Sequence, residues 1–223
     1  MKQPNARLLI GQFRNRAVRA IRVVWSTVND LYLNIETGDE ADPRHPWRYG
    51  LINDLAKHKD GIAYQAADYR NIRRVIRILA PDKDDVFYDL GCGKGRCVCV
   101  FARLAIRRAV GIELNGSLCD AARSNATRLR DRRSPIEIRC EDAAKADVSD
   151  GTIYFMFNPF GADTMRDVLA GIEQSLTINP RKAMIVYVNP VLAETFRASG
   201  WLQEVHEFKN FTGGRYTFWA NRE

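Results

Sequence analysis

A chain of 223 residues is long enough for one well-packed domain with an appendage and short for two full domains. Its apolar fraction of 46% and charged fraction of 27% are those of an ordinary globular protein, and no run of about 18 uncharged apolar residues is present to span a bilayer. The formal charge of +7 is uneven: residues 1–35 carry Lys2, Arg7, Arg14, Arg16, Arg19 and Arg22 against Asp30 alone, so the basicity belongs to an N-terminal arm and the body is nearly neutral.

Arginines interrupt each apolar stretch of the first 25 residues, so no secretory signal is expected. The five cysteines (Cys92, Cys97, Cys99, Cys119, Cys140) are odd in number and form no CxxC pair. Cys97 and Cys99 are expected as small buried thiols. His45, His58 and His206 lie at no ligand spacing from them, so no metal site is expected. A reducing compartment suits this usage, and a cytoplasmic location, peripheral to the membrane if the arm binds one, is the expectation.

In chain order, Ile10, Phe13, Ala17, Ile21, Val24, Val28 and Leu31 form a helical stripe with the arginines off it, which predicts an amphipathic helix over 10–32. Residues 35–62, rich in Gly, Pro and Asp, read as a long loop with at most a short helix. Residues 69–79 (YRNIRRVIRIL) read as a second amphipathic helix stopped by Pro81. Strands then alternate with helices: strand 86–90, helix 94–105, strand 109–113, helix 116–130, strand 136–140, strand 152–158, helix 163–176, strand 183–189 and helix 191–199. Segments 201–208 and 215–220, around Gly213-Gly214, read as a terminal hairpin. The pattern predicts an α/β fold: a mostly parallel sheet with helices on both faces, a terminal antiparallel hairpin and an N-terminal helical extension. The expected division is a basic helical arm at 1–34, a loop and helix forming a cap or substrate region at 35–80, and a cofactor-binding domain at 81–223.

In such sheets ligands bind beyond the carboxyl ends of the strands. The first strand ends in Asp89 and the turn Gly91-Cys92-Gly93-Lys94-Gly95, where glycines allow close backbone approach and helix-start N–H groups face a ligand. The second ends in Glu113-Leu114, the third in Glu141-Asp142-Ala143 and the fourth in Asn158-Pro159-Phe160-Gly161. An ionised Glu113 can accept both hydroxyls of a ribose, and Asp142 can accept from an exocyclic purine amine. Asp89 would repel a pyrophosphate at this turn and suits an ammonium or sulfonium instead. A ligand with an amine, a carboxylate, a ribose and an adenine is S-adenosylmethionine.

DLGCGKGR, GIELN, EDAA and FNPFG, in that order and spacing, resemble the successive motifs of the class I S-adenosylmethionine-dependent methyltransferases, over roughly residues 64–220. The resemblance implies their seven-strand Rossmann-like fold, methyl transfer, and S-adenosylmethionine as cofactor. It implies that Asp89, Gly91 and Gly93, with Cys92 and Gly95 in the same turn, hold the methionine portion. Glu113 with Leu114 would meet the ribose side and Asp142 with Ala143 the adenine. Tyr64 and Tyr69 are similar in position to family residues that close over the cofactor.

Asn158-Pro159-Phe160 stands where related amino-group methyltransferases carry an Asn or Asp followed by Pro-Pro-aromatic, so these three are the candidate catalytic residues. The Asn oxygen and a Pro carbonyl would accept from the acceptor nitrogen, and the aromatic would stack on it. The second proline is missing here, which favours an amine over a nucleobase. The expected substrate is therefore a protein lysine or an amine-bearing small molecule. Other readings stay open: a non-catalytic cofactor-binding scaffold, or methylation of nucleic acid or of an oxygen acceptor, for which only the loop histidines His45 and His58 offer a base. A nicotinamide dehydrogenase is disfavoured by the glycine spacing and by Asp89. For residues 7–32 three readings stand: packing on the domain, peripheral contact with an anionic membrane surface, or contact with an acidic protein or nucleic acid, the last ranked lowest because stacking aromatics are sparse.

Overall fold

The computed structural model describes residues 6–38 and 64–222, with 6–19 as backbone only. Histidines 45 and 58 and most of the expected loop lie outside the described residues. Among the described residues the helices α1 (Ala6–Leu33) and α2 (Tyr69–Leu79) come first. Then follow β1 (Val86–Leu90), α3 (Arg96–Phe101), β2 (Arg108–Glu113), α4 (Gly116–Arg128), β3 (Ile136–Cys140) and β4 (Ile153–Phe157). The chain continues through α5 (Ala162–Ile178), β5 (Met184–Val188), α6 (Ala193–Ala198), β6 (Leu202–Lys209) and β7 (Arg215–Asn221). The strands form one sheet in the order β3-β2-β1-β4-β5-β7-β6, parallel from β3 to β5, with β7 antiparallel to both β5 and β6. This is the Rossmann-like sheet with a terminal hairpin that the alternation predicts.

Strand β1 is buried along its whole length, which is why it reads as an apolar run interrupted only by Asp89. Its alternate side chains serve two layers. Val86, Tyr88 and Leu90 pack with Met165, Val168 and Ile172 of α5 and Phe196 of α6. Phe87 packs in the opposite layer with Ile72 and Val75 of α2 and Phe101 of α3. Asp89, two residues on, points into that second layer by the same alternation. Register aligns the strand ends: Leu90 lies opposite Ile112 and Met156, and Glu113 opposite Cys140.

Local chemistry fixes the helix ends. Asp68 caps α2 by accepting from the Arg70 amide at 2.8 Å, and Asn115 caps α4 by accepting from Leu118 N at 3.1 Å. The expected helix 94–105 is shorter, because Gly95 at φ +78° starts it and its end tightens into i→i+3 bonds at Arg103 and Leu104. The expectation of buried thiols holds for Cys97 and Cys99, and Cys92 is buried with them, but a Cys119–Cys140 disulfide that was not expected joins α4 to the end of β3. Chain separation hid that pair, and the packing of α4 on β3 brings it together.

Half of the arm is part of the domain. Arg96, the first residue of α3 and only 4% exposed, donates to Ser26 Oγ (2.7 Å), Thr37 Oγ1 (2.6 Å), Thr37 O (2.9 Å) and Ala67 O (2.9 Å). Its guanidinium lies 3.6 Å from Asp30 Oδ1. Asp30 in turn accepts from the Thr37 amide and hydroxyl at 2.8 Å each, and from the Tyr69 hydroxyl. The polar edge of α1 (Ser26, Asn29, Asp30) therefore faces the protein.

Candidate functional site

At the carboxyl end of β1 the chain turns through Gly91 (φ +82°), Gly93 (φ +54°) and Gly95 (φ +78°), a left-handed path that side chains rarely adopt. Close approach compounds the need. A Cβ on Gly91 would sit 2.4 Å from Pro159 Cβ, and one on Gly93 would sit 2.2 Å from the Tyr64 ring. Two expected site elements, the glycine turn and Asn158-Pro159, thus touch through a missing Cβ, and Tyr64 lies on the turn with its hydroxyl donating to Thr37 O at 3.0 Å. The turn's amides are less open than the sequence suggests. Gly91 N and Cys92 N both donate to Ile112 O at 2.9 Å, and Gly95 N donates to Cys92 O. The Gly93 amide is used as well, donating to Glu113 Oε2 at 2.8 Å. The turn is held by its own hydrogen bonds rather than left as a row of amides awaiting an anion.

The two acids differ in their surroundings. Glu113 also accepts from the Asn115 amide at 2.9 Å, so both its oxygens are fixed at the end of β2; burial still pushes its pKa up. Asp89 is buried with no hydrogen bond from the described residues to offset the loss of water, and the nearby Glu113 charge adds repulsion. Its pKa is raised to about 8. A buried carboxyl of this kind would ionise readily beside a bound cation. Next along the sheet edge, Glu141 N donates to Glu113 O at 3.0 Å, which brings the Asp142-Ala143 turn beside the β2 end. Asp142 Oδ1 accepts from Ala144 N at 3.0 Å, and Leu114 is a 45% exposed apolar side chain at the same edge.

At the end of β4, Asn158 adopts φ +42°, a strained position for any residue but glycine and one that Asn tolerates best. Its Oδ1 accepts from the Tyr187 hydroxyl at 3.1 Å, and that hydroxyl accepts from Leu192 N at 3.3 Å. Tyr187 thus fixes the amide of Asn158. A cavity of about 570 Å³ opens over the carboxyl ends of β4 and β5. Phe157 and Asn189 of the strand ends, Tyr216 of β7, Phe211 of the hairpin tip and Trp25 of α1 are among its lining residues. Asp68, Arg22 and Arg70 supply its charges.

Three expected roles are corrected. Tyr69 is 1% exposed, bonded to Asp30 and covered by the Arg96 guanidinium at 4.6 Å, so it belongs to the core beneath the arm. Phe160 is 7% exposed and packs in the α5 layer, so its ring anchors the Asn158-Pro159 turn instead of stacking on a ligand. The Cys92 side chain also lies in the core, against Gly111, leaving only its backbone in the turn. Asp89, Gly91, Gly93, Glu113, Leu114, Asp142, Ala143 and Asn158 are brought to one edge of four neighbouring strands. Tyr187 and the cavity wall from α1 escaped the sequence reading, since a tyrosine in an apolar strand signals only a core position.

The residues fit S-adenosylmethionine on these grounds: a buried carboxyl with no hydrogen-bond donor among the described residues for its ammonium, a fixed carboxylate for its ribose diol, and a turn stripped of Cβ atoms for its methionine portion. Comparisons agree. The family model described as histone methylation protein DOT1 matches residues 57–143. A protein-lysine N-methyltransferase of Saccharolobus islandicus is 29% identical over 99 residues, covering 43% of this chain and 60% of that protein. The 23S rRNA (uracil(1939)-C(5))-methyltransferase RlmD of Burkholderia pseudomallei is 30% identical over 192 residues, covering 79% of this chain but 40% of that protein. This chain therefore spans less than two thirds of either relative's length. Among solved structures, an RNA methyltransferase from Salinibacter ruber in complex with S-adenosyl-L-homocysteine superposes with a TM-score of 0.53 at 23% identity, covering 71% of this chain and 95% of that one. The sheet order, the glycine turn beneath Tyr64, the paired acids and these relatives together make the chain similar to the class I S-adenosylmethionine-dependent methyltransferases, whose Rossmann-like fold it shares.

Proposed function

We propose that the protein transfers a methyl group from S-adenosylmethionine to an amine nitrogen bound in the cavity at the ends of β4 and β5. The observation that carries this reading is the Asn158 amide, fixed by the Tyr187 hydroxyl at 3.1 Å, backed by Pro159 against the glycine turn, and next in the chain to Phe157, which lines a cavity with aromatic walls. When bound, the cofactor supplies a methyl group on a positively charged sulfur. Asp89 would hold its ammonium, Glu113 its ribose, and the Leu114 and Asp142-Ala143 edge its base.

The remaining work falls to positioning. Asn158 Oδ1 has a second lone pair beyond the one used by Tyr187, and it accepts from the acceptor N–H so that the nitrogen lone pair points at the methyl. The amine must be neutral to attack, and an amine such as lysine ordinarily holds its proton to a pKa of about 10.4. Arg22 and Arg70 outnumber Asp68 in the cavity wall, a balance that disfavours a further positive charge, while the aromatic lining limits water. Attack forms the N–CH3 bond as the sulfur takes the C–S electron pair, and the product ammonium then releases its proton to water.

The protein-lysine relative supports an amine acceptor, and the rRNA relative supports a second reading in which the acceptor is RNA. The test uses methyl-labelled S-adenosylmethionine with amine-bearing peptides and small amines in one arm and purified RNA in the other. Labelling of an amine, abolished in Asn158→Ala while S-adenosylhomocysteine affinity stays within about threefold, supports the proposal. Label in RNA alone overturns it for the second reading, and loss of cofactor affinity in Asn158→Ala removes the role given to that residue.

A further inference from the structure

Helix α1 is packed with its polar edge inward. Ser26, Asn29 and Asp30 meet the domain, whereas Ile21, Val24, Val28 and Leu31, at successive spacings of three, four and three, are 52–69% exposed. The apolar stripe, which packing on the domain would have buried, is thus left on the outside, joined by Tyr32 at 56%. Single exposed aliphatics need no explanation, but a continuous helical row of them marks a contact surface. The stripe runs on in sequence through Ala17, Phe13 and Ile10, in a segment whose charged residues before Asp30 are all basic. A second exposed apolar group lies close by. Phe211, at the tip of the β6–β7 hairpin and 94% exposed, lines the same cavity as Ile21.

We propose that α1 and the Phe211 tip dock the protein on the surface of an anionic phospholipid bilayer. Charge decides the occupant. A second copy laid on the stripe would bring together two arms that each carry six basic residues and one acid, which repel. Nucleic acid would satisfy the arginines but gives a row of valine, isoleucine and leucine nothing to bury against, and Trp25 is already stacked with Arg70 at 5.1 Å. An anionic bilayer supplies both acyl boundary for the stripe and negative headgroups for the arginines. No helix of the described residues is long and apolar enough to cross a membrane, so the contact is one of lying on the surface. Docked this way, the cavity mouth between Ile21 and Phe211 stands at headgroup level.

The test is flotation of the full chain with phosphatidylcholine vesicles and with vesicles of phosphatidylcholine and phosphatidylglycerol in a three-to-one ratio. Wild type should partition at least tenfold better to the anionic vesicles, with most of the gain lost in 0.5 M NaCl. Val24→Glu/Val28→Glu should lose tenfold or more, and Val24→Leu/Val28→Leu should keep binding. S-adenosylhomocysteine affinity and the melting temperature, measured on each variant, should match wild type because neither valine lines the cavity or touches the cofactor edge. The proposal is overturned if wild type ignores anionic vesicles, or if the glutamate variant binds them equally. It is also overturned if wild type is a dimer that the glutamate variant dissolves without vesicle binding. Failure of the methyltransferase reading would appear separately, as absent S-adenosylhomocysteine binding in a protein that still floats.

Discussion

Asp89 gives the sharpest quantitative consequence of the site. Its carboxyl has a pKa raised to about 8 by burial and by the Glu113 charge, so in the ligand-free protein at pH 7 about nine in ten molecules carry it protonated. Holding the ammonium of the cofactor requires the ionised form. Binding at pH 7 should therefore release about 0.9 proton per site from this carboxyl, a share that shrinks as pH rises through about 8. Calorimetric titration with S-adenosylhomocysteine in two buffers of different ionisation heat reads this number directly. Affinity should rise about tenfold between pH 6 and 7 and level off above about pH 8, where the carboxyl is ionised without the ligand. Asp89→Asn should abolish the proton release together with most of the affinity. The same carboxyl bears on stability with the opposite sign to a salt-bridged acid. Because its pKa is raised above the unfolded value of 3.8, the folded state binds the proton more tightly, and ligand-free stability should fall as pH rises from about 4 to about 8. Asp89→Asn removes that penalty and should stabilise the ligand-free protein at pH 7 by on the order of 4 kcal/mol. Binding heats independent of buffer, with an affinity flat from pH 6 to 8, would refute the reasoning.

Other perturbations separate positioning from folding. Tyr187→Phe deletes the donor to Asn158 and should lower kcat about three- to tenfold, the worth of one hydrogen bond, while leaving S-adenosylhomocysteine affinity unchanged. Arg96→Met strands Asp30 in the core beneath α1 and should cost roughly 3–5 kcal/mol in urea unfolding; a smaller effect would mean that the arm does not depend on this network. Reduction of Cys119–Cys140, or Cys119→Ser, opens a link between residues 21 apart and should cost about 3 kcal/mol by chain entropy, seen as a melting temperature lower by roughly 10 °C. A melting curve indifferent to reductant would show that the bridge does not hold α4 to β3.

Much of the fold can be read from the chain because its inner parallel strands are buried on both sides and appear as apolar blocks, while the edge strand β3 alternates apolar and polar residues. VFYDL, IEIRC and YRNIRRVIRIL fall on element boundaries as the patterns predict. The cofactor edge is legible for a related reason: its acids and glycines follow strands, and chemistry that breaks an apolar run stands out. The parts that were missed depend on packing between distant segments. Arg96 reads as a departure from a glycine pattern, and only the fold reveals that it reaches back to Ser26 and Thr37. Tyr187 looks like any core aromatic until Asn158 is brought beside it. For α1 the usual rule that an apolar stripe faces the core fails, because the buried Arg96 guanidinium recruits the polar edge of the helix instead.

The central claim, that this edge is an S-adenosylmethionine site, is tested most directly by equilibrium binding of S-adenosylhomocysteine and of NAD to wild type and to Glu113→Ala. The account predicts micromolar binding of S-adenosylhomocysteine, weakened at least tenfold in Glu113→Ala, and no binding of NAD. Absence of S-adenosylhomocysteine binding to a folded wild-type protein, or a preference for NAD, would contradict it.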